Sequence, residues 1–331
     1  MKRLLSAVLL ALLITCSVPA QTRPVPVIFD TDMGNDIDDA LALAILHALE
    51  SRGESKLLAV TITKDNPYAA EFVDVVDTFY GRGQIPIGIV KNGKTPQDSP
   101  MIHEPSERKK ADGSYIYPRR LALGAAPDAV AVLRRALAAA PDASVVIIQV
   151  GFSTNLARLF DAPADSTSPL SGAQLAAKKV KLVSAMAGNF AEAKPEFNIA
   201  TDIPAAQELC DRWPSPIVFS GFEIGVALPY PATSIEHDFS WVPDHPVAEA
   251  YRNYMHMPYD RPTWDLTAAL YAVRPEANYF SLSPNGTVRV DEKGNTHFTP
   301  APEGKHRYLM LESGQKARTL EALILLASQP K

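Results

Sequence analysis

Apolar residues along the chain fall into two rhythms. Short, largely apolar runs, Pro26 to Phe29, Lys56 to Thr63, Ile85 to Val90, Ala143 to Val150, Val180 to Ala185 and Ile217 to Ser220, alternate with stretches in which apolar positions return every three or four residues. Runs of the first kind, bounded by polar turns, predict strands buried on both faces, and the second kind predicts amphipathic helices. Helical spacing is clearest in Leu41, Ile45, Ala48 and Leu49, in Tyr68 to Tyr80, in Asp128 to Ala139, in Pro204 to Arg212, in His245 to Met257 and in a closing stretch from Gly314 to Ala327. Asp36 is a natural N-cap for the first of these helices.

Strands alternating with helices predict an α/β fold: a Rossmann-like open, mostly parallel sheet with helices on both faces. Two stretches break the rhythm. Thr287 to Pro300 alternates around Lys293-Gly294-Asn295 and predicts a late antiparallel hairpin, which makes the sheet mixed or adds an appendage. Residues 91–120 keep no period and are rich in Pro, Gly and charge, as binding loops often are, so His103, Tyr115 and Tyr117 become candidate substrate contacts, although each taken singly reads as an ordinary surface residue. No composition shift marks a linker, so 21–331 reads as a single domain.

The amino end reads differently. Lys2 and Arg3 precede an apolar run from Leu4 to Cys16 and the small-residue stretch Val18-Pro19-Ala20, the pattern of a secretory signal peptide over 1–20. The expected location is therefore exported, periplasmic or secreted, with a lipoprotein anchor at Cys16 ranked lower because Leu13-Ile14-Thr15 matches a lipobox poorly. Cleavage after Ala20 leaves Cys210 as the one cysteine, unable to form an internal disulfide and read as a small buried residue. With 331 residues and 47% hydrophobic content the chain can bury a full-sized core, and no stretch past the signal is long and apolar enough to span a bilayer. A net charge of -5 without a basic run argues against nucleic acid or an anionic membrane and favours a small-molecule partner; a homo-oligomer stays open.

Composition alone does not locate the chemistry, but one stretch does. Asp30, Asp32, Asp36, Asp38 and Asp39 crowd the seam between the first strand and the first helix. Carboxylates this close repel one another, and a site built from them holds a cation or a proton. Capping of the helix start accounts for Asp36 and one neighbour, not for all five.

The stretch Asp30-Thr31-Asp32-Met33-Gly34-Asn35-Asp36-Ile37-Asp38-Asp39-Ala40 resembles, with two extra residues, the Asp-x-Asp-Pro-Gly-x-Asp-Asp-Ala fingerprint of the calcium-dependent nucleoside hydrolases of the inosine–uridine-preferring type. Leu58 to Asn66 is similar to that family's second strand, Gly151-Phe152-Ser153-Thr154-Asn155 to its Gly-Pro-Leu-Thr-Asn, and Glu196-Phe197-Asn198 to its ribose-binding Glu-Phe-Asn, all in the family's order. The resemblance implies hydrolysis of the N-glycosidic bond of a ribonucleoside with Ca2+ as cofactor. It implies Asp32, Asp39, Asp265 and the Thr154 carbonyl as metal ligands, Asp38 as general base, Asp30 and Asp36 as supports, and Asn66, Asn189, Glu196 and Asn198 as the ribose clamp.

Two departures stand out. Met33 occupies the family's usual Pro position, and Trp264 stands immediately before Asp265 where the inosine–uridine type has His. A Trp there resembles the purine-specific branch, in which the indole stacks on the base, and this makes the chain purine-leaning; simple packing of Trp264 under the helix start is an equal alternative. Two rivals remain at this stage. A magnesium-dependent phosphatase is suggested by a strand ending in Asp30-Thr31-Asp32 but leaves Glu196-Phe197-Asn198 unexplained. A non-catalytic nucleoside- or sugar-binding protein on the same fold predicts a missing base.

Overall fold

The computed structural model describes residues 23–331, so the signal segment and Cys16 lie outside the described residues. The strands are β1 Val25–Thr31, β2 Ser55–Lys64, β3 Ile87–Lys94, β4 Val145–Gln149, β5 Val180–Met186, β6 Ile217–Ser220, β7 Pro229–Tyr230, β8 Arg261–Pro262, β9 Ser281–Leu282, β10 Gly286–Val290, β11 Thr296–Pro300 and β12 His306–Met310. Ten of them form one mixed sheet in the order β11-β10-β12-β6-β5-β4-β1-β2-β3, with β9 added beside β12; β7 and β8 pair separately. From β6 to β3 every pairing is parallel.

Alternation within the central strands builds both faces. Val27, Phe29, Val146 and Ile148 enter one core with Leu41, Ile45, Phe72, Leu266 and Leu270, while Ile28, Val145 and Ile147 enter the other with Leu133, Leu156, Val183 and Phe219. Successive side chains on a strand point to opposite faces, so an unbroken apolar run is what a sheet covered on both sides requires. Helix Asp38–Ser51 is buried from Asp38 through Leu49. Each fully buried Leu or Ile there contributes about 2 kcal/mol, which fixes the helix and the two acids at its start.

The expected strands are all present, with differences at three places. The late hairpin β10–β11 is not an appendage: β12, which the sequence does not announce, pairs parallel with β6 and antiparallel with β10 and ties the hairpin into the main sheet. The stretch 91–120 is not wholly loop, because Pro100–Glu107 is helical with proline in its first turn, where a missing N–H costs nothing. Asp36 is not the N-cap of the first helix; Ile37 holds that position without a side-chain cap, and the Asp36 carboxylate faces Arg261.

After β1 the chain turns to β2 and β3 on one side, and β4, β5 and β6 lie on the other. The strand order therefore reverses at β1, and a crevice opens beyond the carboxyl ends of β1 and β4 at this reversal, the place where open α/β sheets bind ligands. The acidic stretch sits there.

Candidate active site

The loop leaving β1 bends at Gly34, whose φ of 107° lies in the region only glycine enters freely, and a Cβ there would meet Ile102 at 2.6 Å. Gly151 lets the end of β4 approach equally closely, since a Cβ there would stand 2.6 Å from the Asp32 backbone nitrogen. These two contacts seat the loop over a cavity of about 320 Å³. Its wall carries the carboxylates of Asp32, Asp36, Asp38, Asp39, Asp265 and Glu196 and the rings of Phe222, Tyr254 and Trp264 beside Arg261, with Asn35, Phe197 and Asn198 also present.

Asp38, Asp39 and Asp265 offer carboxylate oxygens that all lie within 4.8 Å of one another. Asp38 and Asp39 share the first turn of helix Asp38–Ser51, and Asp265 that of helix Trp264–Val273. The backbone N–H of Asp265 donates to Asp38 Oδ2 at 3.1 Å, which locks the two helix starts together. Thr31 Oγ1 donates to Asp39 Oδ1, whereas Asp39 Oδ2 is buried without a hydrogen-bond partner among the described residues. Burial, and then mutual repulsion, pushes all three carboxyls well above the usual range.

Asp32 stands outside this trio on the same cavity wall. Asn35 Nδ2 donates to its Oδ2 at 2.7 Å, and Lys64 Nζ holds Asn35 Oδ1 at 2.9 Å, so a buried lysine steers Asp32 through an amide. Burial raises Asp32 to about 6. Asp30 does not reach the cavity; Thr61 and Asn155 donate to its Oδ1 at 2.6 and 2.8 Å, and burial pushes it up to about 7.

Glu196 accepts from the backbone N–H of Gly188, Asn198 and Ile199 while burial holds it at about 7. Asn198 Nδ2 donates to the Val150 and Met186 carbonyls, tying together the ends of β4 and β5. Trp264 lines the cavity with its indole N–H anchored to the Phe222 carbonyl at 2.9 Å, and the Phe222 ring stacks on it at 5.5 Å between centroids.

The structure thus brings together Asp32, Asp38, Asp39, Asp265, Glu196, Asn198 and Trp264. It places three expected residues off the cavity wall. Asn66 caps helix Pro67–Phe79 by accepting from Tyr68 N–H and donates to the Pro96 carbonyl. Asn189 folds its own loop by accepting from Ala191 and Glu192 N–H, and Thr154 donates its hydroxyl to Asp202. The loop residues are likewise engaged elsewhere: His103 stacks on Tyr68, Tyr115 lies under Arg119, and Tyr117 donates to Glu249.

The family model for inosine-uridine preferring nucleoside hydrolase matches residues 27–318. The chain belongs to that family. It is accordingly a hydrolase acting on the N-glycosidic bonds of nucleosides, of a metal-dependent family, and Asp38, Asp39 and Asp265 form a cluster of acids that could hold a metal ion. No curated protein matches the sequence. Among solved structures the nucleoside hydrolase resembles a plant nucleoside hydrolase, at 21% identity over 93% of this chain and 100% of that one, with a TM-score of 0.66. It also resembles an inosine-guanosine nucleoside hydrolase, at 17% identity over 92% and 99% with a TM-score of 0.67. A purine-preferring ribonucleoside hydrolase from Gardnerella vaginalis gives 16% identity over 92% and 98%, TM-score 0.67. At these identities the likeness establishes the fold.

Sequence reasoning missed Asn35, Tyr254, Phe222 and Arg261 as wall residues. Asn35 lay inside the acidic fingerprint and Arg261 three positions before Trp264, so proximity to a motif was the available signal. Tyr254 and Phe222 belong to separate elements and become neighbours of the site only through the fold.

Proposed function

We propose that the protein is an exported, calcium-dependent nucleoside N-ribohydrolase that favours purine nucleosides. The observation that carries this reading is the buried Asp39 Oδ2, without a partner among the described residues, grouped with Asp38 and Asp265 on the wall of a cavity that Trp264 also lines. An all-oxygen donor set with one oxygen left unsatisfied fits a hard cation such as Ca2+. Asp38, Asp39 and Asp265 would hold it, and when bound it acidifies water and offsets the carboxylates' repulsion.

The chain's own residues divide the remaining work. Glycosidic cleavage leaves positive charge on the ribose ring, and Glu196 with the nearby aspartates stabilises that charge from fixed positions. The bond electrons leave with the base, which Trp264 flanks with its ring. A water adds to the sugar carbon, and its proton passes to Asp32 Oδ1, the oxygen that Asn35 does not hold. The family resemblance distributes two roles the other way, with Asp38 as base and Asp32 as ligand. The grouping of Asp38 with Asp39 and Asp265 supports the assignment made here.

Incubating the mature protein with inosine, guanosine, adenosine and uridine, with calcium or excess chelator, tests the reading through release of free base and ribose. Base release that requires the cation supports it, and release of neither product from any nucleoside refutes it. Comparing Asp32→Asn with Asp38→Asn settles the base: the assignment fails if Asp32→Asn turns over normally or if Asp38→Asn retains full calcium affinity.

A further inference from the structure

Among the residues lining the cavity, Arg261 is the one cation, and it lies beside the rings of Tyr254 and Trp264. Arg261 lies in β8, and its guanidinium is held at two edges: Nε donates to Asp36 Oδ1 at 2.9 Å, and Nη2 donates to Asp36 Oδ2 and, at 3.0 Å, to the Tyr254 hydroxyl. The guanidinium carbon stands 5.1 Å from the Tyr254 ring centroid and 5.2 Å from that of Trp264. Nη1 donates to no protein atom among the described residues, although Arg261 lines the cavity.

Three consequences follow from this arrangement. A bidentate carboxylate and two aromatic rings fix the planar group, so little entropy is lost when Nη1 engages a ligand. Asp36 neutralises the guanidinium charge, and five further carboxylates line the same cavity, so a phosphate or another anion gains little here. What remains is one amino nitrogen, Nη1, as a fixed donor beside an aromatic surface, which matches a carbonyl acceptor on a neutral, flat heterocycle.

Building on the nucleosidase reading, we infer that Arg261 is a specificity-determining residue that reads the 6-substituent of a purine, accepting a 6-oxo base and disfavouring a 6-amino one. A 6-oxopurine presents O6 as an acceptor to this one free nitrogen; the two-nitrogen fork that reads O6 and N7 of guanine together is not available, because Nε and Nη2 are held by Asp36. A 6-aminopurine presents a donor in place of O6, so two donors face one another and one goes unpaired inside the cavity. As the base departs it gathers negative charge on its acceptors, and a fixed N–H donor to O6 strengthens in step; the preference therefore resides in kcat as well as in KM.

The test compares kcat/KM for inosine and adenosine in the wild-type protein, Arg261→Lys and Arg261→Met, with calcium present and melting temperatures recorded for all three. The expected wild-type ratio favours inosine by roughly tenfold or more, as a site that pairs a polar substrate group rejects the analogue lacking it. Both variants should bring the ratio about tenfold closer to unity, with the loss of kcat/KM for inosine exceeding that for adenosine by that factor. Arg261→Lys keeps a cation for Asp36, so it decides the matter if Arg261→Met fails to fold. Equal losses for both nucleosides, with an unchanged ratio, would mean that Arg261 only anchors the Asp36 loop and would overturn the inference. Absence of base release from every nucleoside by the wild-type protein would instead overturn the nucleosidase reading beneath it.

Discussion

Helix Asp38–Ser51 carries two buried groups of titratable side chains. At its first turn Asp38 and Asp39 face Asp265, acid against acid, and one oxygen has no partner. Further along, His47 Nε2 lies 2.8 Å from Asp77 Oδ1, both side chains fully buried, with the His47 ring stacked on Tyr80 at 4.7 Å. Burial pushes His47 down to about 3 and Asp77 well up, so the pair is held in neutral form and carries no net charge. Both groups leave buried polar atoms without a partner among the described residues, Asp39 Oδ2 in the first and His47 Nδ1 and Asp77 Oδ2 in the second. What separates them is that the first sets acid against acid on the wall of a cavity, where a cation can reach it, whereas the second pairs a base with an acid inside the core.

Variants at the two ends separate these roles. Asp39→Asn should lower kcat/KM by ~10³-fold, the scale of losing a fixed electrostatic group in an active site. In calcium-free buffer the same variant should be more stable than the wild type, because it removes one repelling charge. Turnover assays and metal-free denaturation read the two halves of this trade, and a destabilised Asp39→Asn would erase the contrast with His47. Asp77→Ala should do the reverse, costing about 2–3 kcal/mol in urea unfolding by leaving a buried histidine nitrogen unpaired, with kcat/KM unchanged.

A smaller effect concerns Glu196. Its folded-state carboxyl, raised by burial to about 7, favours the protonated form, so its stabilising contribution is full below the ordinary glutamate range and is lost as pH rises from about 4.5 through 7. The calcium-free protein should lose roughly 2 kcal/mol from this group between pH 5 and pH 8. Glu196→Gln should flatten that part of the decline, and an equally steep profile in the variant would show that Glu196 does not titrate there.

Much of this was legible in the residues. Unbroken apolar runs gave β1, β4, β5 and β6 because strands covered on both faces need apolar side chains at every position. The crowding of Asp30 to Asp39 located the cavity, since like charges are not packed together without a purpose. What stayed hidden depended on partners distant in sequence. β12, His306-Arg307-Tyr308-Leu309-Met310, is only partly buried and shows no run or clean alternation; it is a strand because β6 and β10 flank it. Asn66 is a polar residue at a strand end in the sequence, but in the fold its side chain is consumed by capping the next helix. Nearness to Trp264 is the one local signal of Arg261, and it does not reveal the role, which comes from Asp36, 225 positions away.

The position of β12 also has a bearing on how the chain folds. This strand arrives after the β10–β11 hairpin yet is inserted between that hairpin and β6, so neither junction can form until His306–Met310 is available. Such long-range parallel pairing is slow, since loop closure must precede any gain from contact. Until then β6 presents an open edge able to pair with another chain. A nascent chain truncated before β12 should therefore be prone to association, and the last strand acts as the latch that converts an aggregation-prone intermediate into a closed sheet.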